Sequence, residues 1–215
     1  MLLSDLEFGS YLIYSPRGDT EEILKSRRLR DNLKGDKNVS SPPQTTTRYL
    51  VEILAQRITQ TPLQGFLGSD VSLVPVPKSS LLLPGSLWVP QRIADALVEV
   101  GLGNGAFPIL ERRRFVPKAA FSAPEHRPKA IDHYETIGVH LQLEPMERIV
   151  LVDDIITRGA TMLGAASRLA EAYPEAEIRA FAMVRTMSRP EAFVKIEDPC
   201  LGHIRLSGDQ TFREP

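Results

Sequence analysis

Residues 148–186 restrict the fold of this chain more than any other segment, because they have the pattern of a strand, a helix and a second strand. Residues 149–152 (IVLV) form a continuous apolar run, which is typical of a parallel strand covered on both faces. Apolar residues then recur at helical spacing from Met162 until Pro174, and the apolar segment EIRAFAMVRT follows. Parallel strands need a crossover helix between them. The segment therefore predicts an α/β fold in which helices flank a central, mostly parallel sheet.

Two carboxylates, Asp153 and Asp154, come directly after the first of these strands. Open α/β sheets bind their ligands at the carboxyl ends of the strands, and two carboxylates left there without a partner would be costly. We therefore expect a polar partner, namely a sugar diol, a divalent metal ion or basic side chains. We also expect the strand to end at this pair, so that both carboxylates turn toward one ligand.

The next segment, residues 157–161 (TRGAT), suits an anion. The first amides of a helix have no intrahelical acceptor and form an anion site. Gly159 allows a close approach of the backbone, and Thr157 and Thr161 add hydroxyl donors. A phosphorylated ribose would fit, with its hydroxyls at the carboxylates and its phosphate in the turn. The alternative is a helix cap or a salt-bridged corner, but the combined pattern favours a ribose-phosphate site.

Segments on either side of this unit predict further helices and strands. The apolar stripe of YLVEILAQRI predicts a helix that a threonine of the run 45–47 caps. We also expect a charged helix in EEILKSRRLRDNLK, a surface loop at 35–48, a strand at 70–77, a helix in VPQRIADALVEVGL and a long loop over 109–139.

The segment GLGNGA, residues 101–106, has the form of a dinucleotide-binding glycine pattern. That pattern must follow a strand and open a helix. Here it follows a helix, so we interpret it as a helix C-terminal loop.

Composition favours a soluble protein without a nucleic-acid or membrane partner. The formal net charge is −1, which gives no overall attraction to nucleic acid or an anionic membrane. Cys200 is the single cysteine, which excludes an intrachain disulfide framework and a multi-cysteine zinc site. No apolar run reaches the roughly 18 residues of a spanning helix, and the N-terminus lacks signal-peptide features. We therefore expect a cytoplasmic protein.

The basic residues and histidines of the long loop have an ordinary interpretation as well as a functional one. Arg112, Arg113 and Arg114 form a charge run, and most such runs are solvated. The histidines show no metal-ligand spacing. His126 and His133 have the alternative of contacting a ligand from the loop, but we expect them in solvent.

The motif IVLVDDIITRGAT resembles the signature of type I phosphoribosyltransferases, which bind 5-phosphoribosyl 1-pyrophosphate with Mg²⁺. The resemblance implies that Asp153 and Asp154 are catalytic residues that hold the ribose hydroxyls. It implies a 5-phosphate loop made of Thr157, Arg158, Gly159, Ala160 and Thr161. Arg158 departs from the pattern, which has a small hydroxyl residue there. Mg²⁺ would be held mainly by the substrate, with Asp153 and Asp154 as the candidate protein ligands.

A looser match over residues 70–186 is similar to the competence-protein-F (ComF-like) members, without their N-terminal zinc module. It implies that Pro77, Lys78 and Ser79 bind pyrophosphate. The segment FVPKAAFSAPEHRPKA stands where these members have a mobile basic loop, which implies Lys118 as a catalytic residue with Arg114 and Arg127 behind it. The expected division is an N-terminal helical or hood segment (1–69), the core (70–186) and a C-terminal extension packed on the core (187–215).

The resemblance implies a Mg²⁺-dependent phosphoribosyltransferase, a homodimer, that transfers phosphoribosyl to an unidentified nitrogenous small molecule. Purine-salvage members have an aspartate where Thr157 stands, so transfer to hypoxanthine or guanine is not expected. The alternatives are a non-catalytic sensor of phosphoribosyl pyrophosphate or nucleotides, and an accessory protein in DNA uptake or stress defence.

Overall fold

The computed structural model describes residues 2–117, 127–142 and 145–215, and in these ranges helices cover both faces of a mostly parallel sheet. The strands in chain order are β1 (Asp5–Tyr14), β2 (Ser72–Pro75), β3 (Gly105–Ala106), β4 (Leu110–Arg112), β5 (Ile137–Val139), β6 (Arg148–Ile156), β7 (Glu177–Thr186), β8 (Glu197–Ser207) and β9 (Gln210–Glu214). The helices are α1 (Glu21–Gly35), α2 (Thr46–Arg57), α3 (Val89–Glu99), α4 (Ala130–Thr136) and α5 (Ala160–Ala172). Short 3₁₀ turns lie at Ile58–Gln60 and Pro190–Ala192.

The main sheet has the strand order β3-β2-β6-β7-β1-β8-β9. The pairs β3–β2, β2–β6, β6–β7 and β7–β1 are parallel, and the pairs β1–β8 and β8–β9 are antiparallel. Strands β4 and β5 form a separate antiparallel pair. The predicted α/β class with a mostly parallel central sheet is confirmed.

The apolar run of β6 is buried on both faces, as the sequence predicts. Val150 and Val152 pack in one core cluster with α2 and α3, and Ile149 and Leu151 pack in a second cluster with α5. This alternation follows from the two-residue period of a strand. Strand β6 therefore lies between two helical layers, and its carboxyl end is held by both.

The predicted helices form close to their predicted positions. The Thr20 hydroxyl caps α1 by accepting from the amide of Ile23 at 3.4 Å, and the Thr45 hydroxyl caps α2 by accepting from the amide of Arg48 at 3.4 Å. The loop after α3 contains Gly101 with a φ of +79°, as a helix C-terminal glycine should. The interpretation as such a loop is confirmed for residues 101–104, whereas residues 105–106 form β3 at the edge of the main sheet.

Two parts of the chain differ from the sequence analysis. We expected the two termini to form a small hood, but residues 5–14 and 197–214 do not form one. They form β1, β8 and β9, which extend the main sheet. The region 109–139, expected to be a long loop, contains β4, α4 and β5. The three-segment division remains a prediction, although one sheet joins strands from all three segments.

Among the residues that the structure describes, no helix has both the length and the apolar character needed to cross a membrane.

Candidate functional site

The carboxyl edge of the main sheet brings the two predicted ligand segments together. Strands β2 and β6 pair in parallel with Pro75 opposite Val152, and the amide of Val76 donates to the carbonyl of Val152 at 2.9 Å. Because the two strands are in register, Pro77, Lys78 and Ser79 leave the sheet beside Asp153 and Asp154. Segments that are distant in sequence therefore meet at one edge, where α/β sheets bind ligands.

The acidic pair lies within β6 and not beyond its end. The strand continues to Ile156, so the expectation that it ends at the pair is wrong. The carboxylate of Asp153 accepts from the amide of Asp154 at 2.8 Å, and that of Asp154 accepts from the amide of Ile155 at 2.8 Å. Each carboxylate is thus held against the next peptide of its own strand. Both are half-buried, and among the described residues neither forms an ion pair.

The electrostatic state of this pair is unusual. Burial, together with the neighbouring carboxylate of Asp154, raises the pKa of Asp153 well above the usual range of an aspartate. The positive charge of Lys34, in the last turn of α1, opposes this rise. A ligand that donates hydrogen bonds to Asp153, or a cation beside it, would stabilise the ionised form that the protein alone disfavours. The pair is therefore suited to a diol or a metal ion.

The segment after β6 has the geometry of an anion-binding turn. Gly159 precedes α5 with a φ of +87°, and the first helical bond runs from the amide of Leu163 to the carbonyl of Gly159 at 2.9 Å. The earlier amides of α5 lack intrahelical acceptors, as at every helix start. Thr157 and Arg158 are exposed, whereas Gly159 is buried against Ile204 of β8. The hydroxyl of Thr157 lies 3.4 Å from that of Thr186.

The turn after β2 is held by the region between β4 and α4. The Arg112 side chain donates to the carbonyl of Lys78 at 2.9 Å, and the amide of Val116 donates to the carbonyl of Ser79 at 2.9 Å. The Lys78 ammonium donates to the Ser86 hydroxyl at 3.3 Å. These bonds fix the backbone of the turn at the sheet edge.

A family model described as a phosphoribosyl transferase domain matches residues 49–204. The chain belongs to the phosphoribosyl transferase domain family. The match includes the acidic pair, the turn at residues 157–161 and the turn after β2. It is wider than the core expected at 70–186, since it begins in α2 and extends into β8.

Two solved structures show a distant likeness to this phosphoribosyltransferase-family chain. One is adenine phosphoribosyltransferase from Leishmania tarentolae, at 14% identity over 81% of this chain and 83% of that one, with a TM-score of 0.32. The other is adenine phosphoribosyltransferase from Leishmania donovani, at 12% identity over 87% of this chain and 84% of that one, with a TM-score of 0.33. No curated protein matches the chain.

Strands β8 and β9 contact the turn at residues 157–161, and the sequence alone does not predict these contacts. The Arg213 guanidinium of β9 donates to the carbonyl of Thr157 at 2.9 Å and to that of Thr186 at 2.6 Å. Arg158 donates to the side chain of Gln210 at 3.3 Å. Burial and the nearby Arg185 lower the pKa of Arg213 to about 10, so it remains a cation at neutral pH. A positive charge therefore lies behind the turn.

The predicted basic residues have different outcomes. Lys118 and His126 lie outside the described residues. Arg114 donates to the carbonyl of Glu135 at 3.4 Å and lines a cavity of about 410 Å³ with Asp132 and Glu135. Arg127 lies within the described residues, and it has at least one interaction partner. The roles predicted for Lys118, Arg114 and Arg127 remain predictions.

Two residues assigned to solvent are buried, so those assignments are wrong. Arg112 is 3% exposed and His133 is 5% exposed. They lie together between β4, α4 and α5, with Arg112 Nη2 at 3.2 Å from His133 Nδ1. A local charge run does not reveal burial that depends on acceptors elsewhere in the chain.

The acidic pair also fits the magnesium ion that the family resemblance implies. Mg²⁺ prefers oxygen ligands, keeps several waters and is commonly held by one or two carboxylates together with substrate phosphates. Asp153 and Asp154 offer two carboxylates without a competing ion pair in the described ranges. In those same ranges, no group of three or more histidine, cysteine, aspartate and glutamate side chains could form a complete metal site. Asp153 and Asp154 are therefore suited to a Mg²⁺ ion that a bound substrate also coordinates.

Proposed function

We propose that this protein is a Mg²⁺-dependent phosphoribosyltransferase that binds 5-phosphoribosyl 1-pyrophosphate and transfers the phosphoribosyl group to a nitrogenous small molecule. The main support is the shared sheet edge, where the turn after β2, the acidic pair of β6 and the turn before α5 lie side by side. A substrate with pyrophosphate, ribose hydroxyls and a 5-phosphate needs three neighbouring sites of these kinds. We further propose that the chain is a ComF-like member, because its turn PVPKSS resembles the turn of those proteins.

In this proposal each segment holds one part of the substrate. Asp153 and Asp154 accept hydrogen bonds from the ribose hydroxyls. The amides and hydroxyls of residues 157–161 donate to the 5-phosphate, with the cation of Arg213 behind them. Pro77, Lys78 and Ser79 line the pyrophosphate. Bound in this way, the reacting carbon is oriented for attack.

The reaction is a substitution at C1 of the ribose. The acceptor nitrogen forms a new bond to C1, the C1–O bond to pyrophosphate breaks, and its electron pair leaves with the pyrophosphate. The acceptor nitrogen then releases its proton. The acidic pair offsets the positive charge that develops on the sugar ring. Mg²⁺, when bound, would offset the negative charge of the leaving pyrophosphate.

The basic segment FVPKAAFSAPEHRPKA completes the proposed site. By its resemblance to the basic loop of the ComF-like members, Lys118 would contact the pyrophosphate, with Arg114 and Arg127 as further basic groups, and the segment would help to exclude water. We further propose a cytoplasmic homodimer, which needs neither a membrane nor a nucleic acid for this reaction.

The test combines binding with turnover. The protein is titrated with phosphoribosyl pyrophosphate and Mg²⁺ in a calorimeter, and pyrophosphate release is then measured across a panel of nucleobases and amines. Binding together with acceptor-dependent release supports the proposal. Binding without release from any acceptor would instead indicate a sensor, and absence of binding would overturn the site assignment.

A further inference from the structure

The buried guanidinium of Arg112 connects the two anion-binding segments of the site. Its Nε donates to the carbonyl of Lys78 at 2.9 Å, its Nη1 to the hydroxyl of Thr136 at 2.6 Å, and its Nη2 contacts His133 Nδ1 at 3.2 Å. Among the described residues, no carboxylate forms an ion pair with this cation. Burial lowers its pKa to about 10, so the charge is retained at neutral pH.

The donor chemistry of Arg112 determines the tautomer of His133. A guanidinium has no acceptor, so Nη2 must donate and His133 Nδ1 must accept. The ring hydrogen then lies on Nε2, which is 3.3 Å from the hydroxyl oxygen of Thr161. Burial and the charge of Arg112 lower the pKa of His133 to about 4, although Asp132 opposes the shift. The ring is therefore neutral near pH 7, and this single tautomer persists.

The direction of the hydrogen bond between His133 and Thr161 then follows. His133 Nε2 donates to Thr161 Oγ1, so the hydroxyl hydrogen of Thr161 is left for another acceptor. On the part of the chain that the structure describes, His133 is the one hydrogen-bond partner of that hydroxyl. Thr161 lies in the first turn of α5, where the free amides of the anion-binding turn also lie. Its hydrogen is thus available to the ligand.

We propose that Arg112 and His133 are positioning residues that commit the hydroxyl of Thr161 to donate to the 5-phosphate of a pentose phosphate. Through the bond from Arg112 to the Lys78 carbonyl, the same pair ties the pyrophosphate turn to the 5-phosphate turn. This inference rests on the proposed function, because it assumes that residues 157–161 bind the phosphate.

The test uses two substitutions that each keep one half of the imidazole. In His133→Asn the amide oxygen replaces Nδ1, which keeps the bond from Arg112 and loses the bond to Thr161. In His133→Gln the amide nitrogen replaces Nε2, which keeps the bond to Thr161 and loses the acceptor for Arg112. Circular dichroism and the melting temperature check that both variants fold.

The measured quantity is the affinity for ribose 5-phosphate by calorimetry. We expect His133→Asn to bind about 5- to 10-fold more weakly, which is the size of one weakened charge-assisted hydrogen bond. We expect His133→Gln to bind within about twofold of wild type while melting at a lower temperature, because Arg112 loses an acceptor. Thr161→Val should weaken binding about tenfold or more, and adding His133→Asn to it should cause no further loss.

Equal losses in the asparagine and glutamine variants would show a merely structural role and overturn the inference. Wild-type affinity in His133→Asn would also overturn the inference. Additive losses in the double variant of Thr161→Val and His133→Asn would do the same. Absence of ribose 5-phosphate binding by the wild-type protein would be a different result, because it would overturn the proposed function itself.

Discussion

Replacing Gly159 by alanine should both destabilise the protein and weaken ligand binding. Gly159 has a φ of +87°, a backbone conformation that costs an L residue about 1–2 kcal/mol. A Cβ built there would lie 2.6 Å from Cγ2 of Ile204 and 2.8 Å from its Cδ1 and Cγ1. Overpacking of this kind costs about 1–3 kcal/mol. Gly159→Ala should therefore lower the free energy of unfolding by about 2–5 kcal/mol.

The chain offers a matched control in the β8–β9 hairpin, which also contains Ile204. Gly208 has a φ of +60°, and a Cβ there would have no atom within 4 Å. Gly208→Ala should thus show the backbone cost alone, about 1–2 kcal/mol. Ile204→Ala should cost less in the Gly159→Ala background than in wild type, because the new methyl group fills part of the vacated space.

Urea denaturation followed by circular dichroism gives the free energies of unfolding, provided that the slope with urea is unchanged. Ribose 5-phosphate affinity, measured on the same proteins, should fall at least about tenfold in Gly159→Ala, because the amides of the turn move. It should be unchanged in Gly208→Ala. Equal destabilisation by the two substitutions, or full affinity in Gly159→Ala, would refute the reasoning.

Two further predictions concern groups around the turn. Because Asp153 has a raised pKa in the folded protein, its ionisation lowers stability as the pH rises through that pKa. Asp153→Asn should therefore raise the melting temperature of the ligand-free protein at pH 8, and this gain should disappear below the usual aspartate pKa of about 3.9. The same substitution should weaken ligand binding. A lower melting temperature than wild type at pH 8 would contradict the prediction. Arg213→Met removes two donors to carbonyls and should cost about 1–3 kcal/mol of stability, whereas the exposed control Arg205→Met should cost under about 0.5 kcal/mol. Equal costs in urea unfolding would rule out a special role for Arg213.

The central part of the fold was predictable because its signals are local. The apolar run of β6, the helical spacing of α5 and the apolar β7 lie next to one another in the sequence, and each has a period that specifies one element. Residues 157–161 of the candidate site follow the same logic, since they lie between the end of β6 and the first turn of α5. Asp153 lies in the predicted strand but not at its end.

The position of β1 was not predictable in the same way. Asp5 and Glu7 interrupt the apolar pattern at its start, and its pairing partners, β7 and β8, lie far away in the chain. A usable signal was present in the aromatic and apolar residues between Phe8 and Tyr14, which are nearly all buried. That run is typical of a strand, but it does not identify the neighbours of the strand.

Arg112 and His133 illustrate why the rest of the site could not be predicted from the sequence. One acceptor of Arg112 is the carbonyl of Lys78, 34 residues earlier in the chain. Burial of a cation depends on such distant partners and not on neighbouring residues. No spacing rule in the sequence could have joined Lys78, Arg112, His133 and Thr161.

The most direct test of the proposed site is a calorimetric titration of wild type and Asp154→Asn with phosphoribosyl pyrophosphate and Mg²⁺. If the half-buried carboxylates of β6 hold the ribose hydroxyls, wild type should bind and Asp154→Asn should bind at least about tenfold more weakly, the size of a lost charge-assisted hydrogen bond. An unchanged affinity in Asp154→Asn, or no binding by the wild-type protein, would contradict the account.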